Sequence, residues 1–189
     1  MHTSRCRLGL LACLLLALPA ERAAAQEKAA TSPAARPEDV ASVDAILAAL
    51  YDVISGPAGQ ARDWDRFRSL FLPGAARLIA VGKDPQTGAK RQLIVDPQGY
   101  AERVGPRLER DGFFEREIGR REDRFGNVVH VFSAYESLHT LSDPEPFARG
   151  VNSIQLLHDG TRWWIVTVLW DTSEGQPDPR TLPRHEVSR

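Results

Sequence analysis

The chain has 189 residues, 42% hydrophobic and 26% charged, which suits one soluble domain with enough apolar surface for a core. Its formal net charge of −1 excludes the basic footprint of a nucleic-acid or anionic-membrane binder. Its two cysteines, Cys6 and Cys13, both stand near the start, which excludes a disulfide framework or a Cys-ligated metal from everything that follows.

Residues 1–25 read as a secretory leader. Arg5 and Arg7 precede an apolar run from Leu8 to Ala20, and Ala23-Ala24-Ala25 supplies a small-residue cleavage site. The run is too short for a stable membrane anchor. Leu10-Leu11-Ala12-Cys13 resembles a lipoprotein box, but apolar residues continue past Cys13, which suits cleavage near Ala25 better. The mature chain is therefore expected in the periplasm or outside the cell, without a membrane partner. Residues 26–37, rich in Ala, Pro and Ser, read as a disordered linker. Residues 38–171 form the domain, and 172–189, with Pro177, Pro179 and Pro183, an extended tail.

Within the domain, helices come first. Glu38 and Asp39 place negative charge where a helix N-terminus favours it. Val43, Ile46, Leu47, Leu50 and Ile54 then recur at helical spacing until Gly56-Pro57, so a helix is predicted over 38–55. Asp63 is a good N-cap for a second helix over 63–71, with Trp64, Phe67, Leu70 and Phe71 on one face. Strands follow at 77–82 and 91–95 around the turn-rich segment 84–88. Asp96-Pro97 opens a third helix, over 97–110, with a bend expected at Gly105-Pro106.

The remainder reads as β: a charge-laced strand over 113–124, a turn at Phe125-Gly126-Asn127, and a strand over 128–139 rich in Val, Phe and Tyr. A hairpin then joins 149–158 to 162–170 through a two-residue Asp159-Gly160 turn. That turn would put Trp163, Ile165, Thr167 and Leu169 on one face with Leu156, Ile154, Asn152 and Gly150. Trp164, Val166, Val168 and Trp170 would share the other. With both faces apolar, each needs a cover. Helices serve one, and a homodimer through the Trp164/Trp170 face is expected to serve the other.

The stretch FGNVVHVFSAYES…FARGVNSIQLLHDGTRWWIVTVLW resembles the nuclear transport factor 2-like superfamily, in particular its bacterial SnoaL-like members. The resemblance covers about residues 38–171. It implies an α+β cone: three N-terminal helices over a curved, mostly antiparallel sheet of about five or six strands, with a pocket between. Members include ketosteroid isomerase, scytalone dehydratase, limonene epoxide hydrolase and polyketide cyclases beside non-enzymatic association domains, so the fold identifies no reaction. The expected roles are a small-molecule-binding domain, a cofactor-free lyase, isomerase or hydrolase on an apolar substrate, or a dimeric association module without a ligand.

Acid–base chemistry in such a pocket draws on His, Tyr and Asp. His130, mid-strand in an apolar run, is a candidate base or a hydrogen-bonded structural histidine. Tyr135 lies on the opposite face of that strand and could donate to an oxyanion or sit in the core with its hydroxyl at the rim. Asp63 is a candidate acid, though capping explains it; Asp65 could be solvated. Asn152 and Thr167, polar on a face with Trp163, Ile165 and Leu156, fit a ligand pocket with Trp163 as its wall, and equally a cross-strand hydrogen bond. Arg149 beside Trp170 fits a cation–π stack, and 116–124 reads as a solvated strand face. No histidine pair has zinc-ligand spacing, so no metal and no cofactor is expected.

Overall fold

A computed structural model describes residues 32–84, 86–172 and 177–182. The leader 1–25, the linker as far as residue 31, and tail residues 173–176 and 183–189 lie outside the described residues. The six described residues of the expected linker belong to the domain. Ser32 donates its hydroxyl to the Arg68 carbonyl (3.0 Å), and Ala35 packs on the core.

The first helix is shorter than its charges suggest. Pro37–Val40 forms a separate 3-10 turn, and helix α1 (Val43–Ile54) starts anew from Ser42, whose hydroxyl accepts from the Ala45 N–H at 3.0 Å. Asp39 does not serve the helix terminus. It takes two bonds from Arg66 (2.7 and 2.9 Å), tying the turn to α2 (Trp64–Ser69). Helix α3 (Pro97–Asp111) is capped by Asp96 and runs through Pro106. Gly105 lets Trp64 lie against it, since a Cβ there would meet the indole at 2.9 Å.

Six strands form one sheet: β1 (Arg77–Lys83), β2 (Lys90–Val95), β3 (Phe114–Phe125), β4 (Val128–Leu138), β5 (Ala148–His158) and β6 (Trp163–Thr172). Their order is β2-β1-β6-β5-β4-β3, antiparallel throughout except between β1 and β6. Helix α1 lays Ile46, Leu47 and Leu50 on a sheet face of Val129, Val131, Ile154, Leu156 and Ile165, all nearly free of solvent. Phe67 stacks on Tyr100 (5.3 Å) and tilts against Phe71 (4.8 Å), locking α2 and α3 together.

Two features correct the expected hairpin. The connection is four residues, Asp159–Arg162, with Asp159 Oδ1 accepting from the Thr161 and Arg162 N–H groups. And β6 carries a bulge: Leu156 pairs with Ile165 but Gln155 with Thr167, leaving Val166 extra. Because side chains alternate, one extra residue exchanges the faces beyond it. Trp163 and Ile165 point inward as expected, but after the bulge Val168 and Trp170 are the inward residues and Thr167 and Leu169 face out. The expected face of Trp164, Val166, Val168 and Trp170 therefore does not exist as a unit. Trp164 is served within the chain, by Asp159 Oδ2 (2.6 Å) and by the Arg162 guanidinium 3.6 Å above its ring. Over β3–β5 lies the tail turn Pro179–Thr181, with Pro179 buried.

The helix termini meet at Arg62, 7% exposed. It donates to the carbonyls of Ile54 (3.0 Å), Gly56 (2.6 Å), Leu108 (3.1 Å) and Gln60, satisfying the last turns of α1 and α3 with one side chain.

Candidate functional site

Between α1, α3 and the sheet lies a cavity of about 860 Å³. Leu50, Ile54, Phe67, Val168 and Trp170 are among its apolar walls. Polar side chains of the sheet that reach it include Glu115 on β3, Tyr135 and Ser137 on β4, and Asn152 on β5.

Glu115 owes its position to a second bulge. From the Gly126-Asn127 turn the β3–β4 ladder runs regularly to Gly119↔Ala134, then slips by one residue between Glu117 and Gly119. The slip sets Glu115 opposite Ser137 and Glu117 opposite Tyr135, turning both carboxyl groups inward.

The donors on Glu115 are neutral. Ser137 Oγ donates to Oε2 at 3.0 Å and Asn152 Nδ2 to Oε1 at 3.4 Å. The cavity leaves the residue part of its surface, yet it stands deep beneath the outer shell, where charge is poorly solvated. Burial pushes its carboxyl up to about 7, against the smaller opposite pull of Ser137 and Asn152. Tyr135 lies over Gly150, where a Cβ would meet its hydroxyl oxygen at 2.6 Å. That hydroxyl has no hydrogen-bond partner among the described residues. Burial, then the nearby charges of Glu115 and Asp171, hold the phenol well above its ordinary value.

Behind Glu115 a polar chain crosses the core. Asn152 Nδ2 donates to the Tyr51 hydroxyl (3.1 Å), Tyr51 and Ser133 share a 2.6 Å bond, and Ser133 donates to Glu117. Arg120, 6% exposed, grips Glu117 and reaches Asp44 at 2.6 Å. Glu117 accepts from both Arg120 and Ser133, so each hydroxyl upstream is turned toward it. The Asn152 amide is thereby oriented with its N–H group toward Glu115.

Of the residues singled out in the sequence, the structure brings Tyr135 and Asn152 to the cavity. Thr167 stands on the outer face, bonded to Gln155 (3.2 Å), so it neither lines the cavity nor meets Asn152. Trp163 is buried in the core beside His158 (5.0 Å), with the Arg124 guanidinium 5.1 Å over its ring, and does not line the cavity. His130 is also outside, bonded to Ser153 (2.9 Å). Asp63 caps α2 and pairs with Arg36 at 3.2 Å, and Asp65 pairs with Arg68. Arg149 faces Glu136 (3.4 Å) on the outer side, away from Trp170. Among the described residues no group of three or more His, Cys, Asp or Glu could hold a metal ion. Glu115 is the residue that sequence reasoning missed. Its signal was the polar set Ser133, Tyr135 and Ser137 at alternate positions of β4, which asks for polar partners across the ladder.

No family model matches the sequence, and no curated protein does. Solved structures do. A protein of unknown function with a cystatin-like fold from Nostoc punctiforme PCC 73102 matches at 10% identity, over 71% of this chain and 91% of its own, with TM-score 0.52. A Kribbella flavida protein matches at 12% over 70% and 89%, with TM-score 0.50. An NTF2-like protein of unknown function from Shewanella baltica OS155 matches at 14% over 69% and 96%, with TM-score 0.43. At such identities the likeness is one of fold alone: an α+β arrangement of helices laid on a mostly antiparallel six-stranded sheet, shared with the cystatin-like Nostoc protein.

Proposed function

We propose that the chain is an exported domain that holds a small, mostly apolar molecule in the cavity, with Glu115, Tyr135 and Asn152 as its polar contacts. One observation carries this reading: a largely apolar cavity of about 860 Å³ contains a deep carboxyl whose donors are all neutral. The volume falls within the range of small-molecule sites, and a few convergent polar groups on apolar walls are what such sites use. The leader over residues 1–25 supports export. An association module with its pocket filled by its own side chains has the open cavity against it.

Glu115 and Tyr135 together favour a second reading, a cofactor-free lyase, isomerase or hydrolase. A carboxyl that titrates near 7 can take or give a proton at working pH, and a phenol without a partner can donate to a developing oxyanion.

The binding reading is tested on the mature chain with N-phenyl-1-naphthylamine, an uncharged fluorophore that brightens in apolar surroundings. Wild type should bind it at micromolar concentration. Ala80→Trp, which fills the cavity from β1, should abolish binding while the protein still unfolds cooperatively. Equal binding by both proteins would place the probe elsewhere and sink the reading. Pairing of two mature chains through the outer sheet face, near Leu169, belongs to the same proposal.

A further inference from the structure

We infer that the cavity is built for an amphipathic anion, its apolar body inside and its negative head at the mouth. The inference rests on the binding function proposed above and names the ligand class. Four cations line the mouth: Lys83 on β1, Arg91 on β2, and Arg103 and Arg107 on α3. Against them the cavity holds one carboxyl, Glu115, deep in the interior. The whole chain is close to neutral, with 24 Lys and Arg against 25 Asp and Glu, so this excess is local.

The two arginines of α3 carry the argument, since Lys83 and Arg91 each have other partners. Asp84 lies 3.5 Å from Arg91, but it also accepts from Gln86 and Thr87 in the turn it organises. Arg103 and Arg107 have no ion pair among the described residues. They are four apart on one helix, which makes them neighbours on one face, and like charges at that spacing repel. An anion at the mouth relieves that repulsion and accepts from both guanidinium groups. The deep end asks for the opposite. Glu115, held partly neutral by burial, suits a hydroxyl or carbonyl and would reject a second negative charge. Polarity therefore fixes the direction of binding: charge at the mouth, apolar body against Leu50, Phe67 and Trp170, and at most a neutral polar group at Glu115.

Two probes of nearly one shape separate this claim from the pocket reading. 1-Anilinonaphthalene-8-sulfonate is N-phenyl-1-naphthylamine with a sulfonate added. In the full mature chain, Arg103→Gln/Arg107→Gln should weaken the sulfonate about tenfold and the uncharged probe less than about twofold. Raising sodium chloride from 50 to 500 mM should weaken the sulfonate alone. Arg121→Gln, a distant surface change, should alter neither, and circular dichroism melts check that each variant is folded. If the double variant leaves sulfonate binding unchanged, or weakens both probes equally, the anionic mouth is overturned while the pocket stands. If wild type binds neither probe, the binding function itself fails.

Discussion

Glu115→Gln isolates the free energy of the deep carboxyl. Its folded value, about 7, lies above the ordinary 4.5, so the folded protein holds the proton more tightly than the unfolded chain. Stability from this group is fully present below pH 4.5 and is lost as pH rises through 7. At about 1.36 kcal/mol per unit, the whole shift corresponds to about 3 kcal/mol, and water in the cavity lowers that toward 1–3 kcal/mol. Wild type should therefore be less stable at pH 8 than at pH 5 by about that much from Glu115. Gln cannot ionise and keeps the shape, so the variant should match wild type near pH 5 and exceed it at pH 8. Asp39, lowered chiefly by its hydrogen bonds to Arg66, acts in the acid range and does not enter this window. Urea unfolding followed by tryptophan fluorescence at pH 5, 6, 7 and 8 measures the difference. Parallel stability curves for the two proteins would refute the reasoning, because they would mean that Glu115 titrates alike folded and unfolded.

Arg62→Met should cost about 3–5 kcal/mol, since it strands carbonyls of two helix ends that one buried guanidinium now serves; a loss below 1 kcal/mol in urea would show that water replaces it. Asn152→Leu should cost about 1–3 kcal/mol and move the pH-dependent window upward, because Glu115 loses a donor while Tyr51 keeps Ser133. Trp163→Ala, a core deletion, should cost about 3–5 kcal/mol and leave probe binding intact; loss of binding in a folded variant would put Trp163 at the ligand after all. Leu169→Glu, at a side chain 38% exposed, should shift the mature protein from dimer to monomer on sizing chromatography, and a wild type that already elutes as monomer removes the pairing.

The sequence disclosed the elements because their signals are local. Helix α1 stops at an extended Ser55 just before Gly56-Pro57, Asp63 and Asp96 cap the helices they were assigned, and Gly126-Asn127 turns β3 into β4. Asp39 misled, since its negative charge suits a helix N-terminus as well as the distant Arg66 that it meets. Arg62 gave no signal at all. An arginine between Ala61 and Asp63 looks solvated, and only the convergence of the ends of α1 and α3 provides the carbonyls that bury it. Glu115 and Glu117 fell in a run of mixed charge, and whether such residues face water or cavity depends on a one-residue slip in the ladder.

Both errors of facing come from bulges, and the one in β6 admits a direct test. Val166 is the extra residue: without it, Ile165 opposite Leu156 would be followed directly by Thr167 opposite Gln155. Deleting Val166 should then leave every other pair in place, with Val168 and Trp170 still inward, at the cost of one partly buried side chain and the local bend. Had β6 been a regular strand, the same deletion would reverse everything beyond it, exposing two large inward side chains. Each such reversal forgoes about 1.5–3 kcal/mol, enough together to endanger a domain of ordinary stability. A deletion variant that unfolds cooperatively within about 2 kcal/mol of wild type and still binds N-phenyl-1-naphthylamine supports the bulge. One that fails to fold, beside a well-folded Val166→Ala control, would mean that β6 needs all its residues in register, and Thr167 would return to the inner face with Asn152.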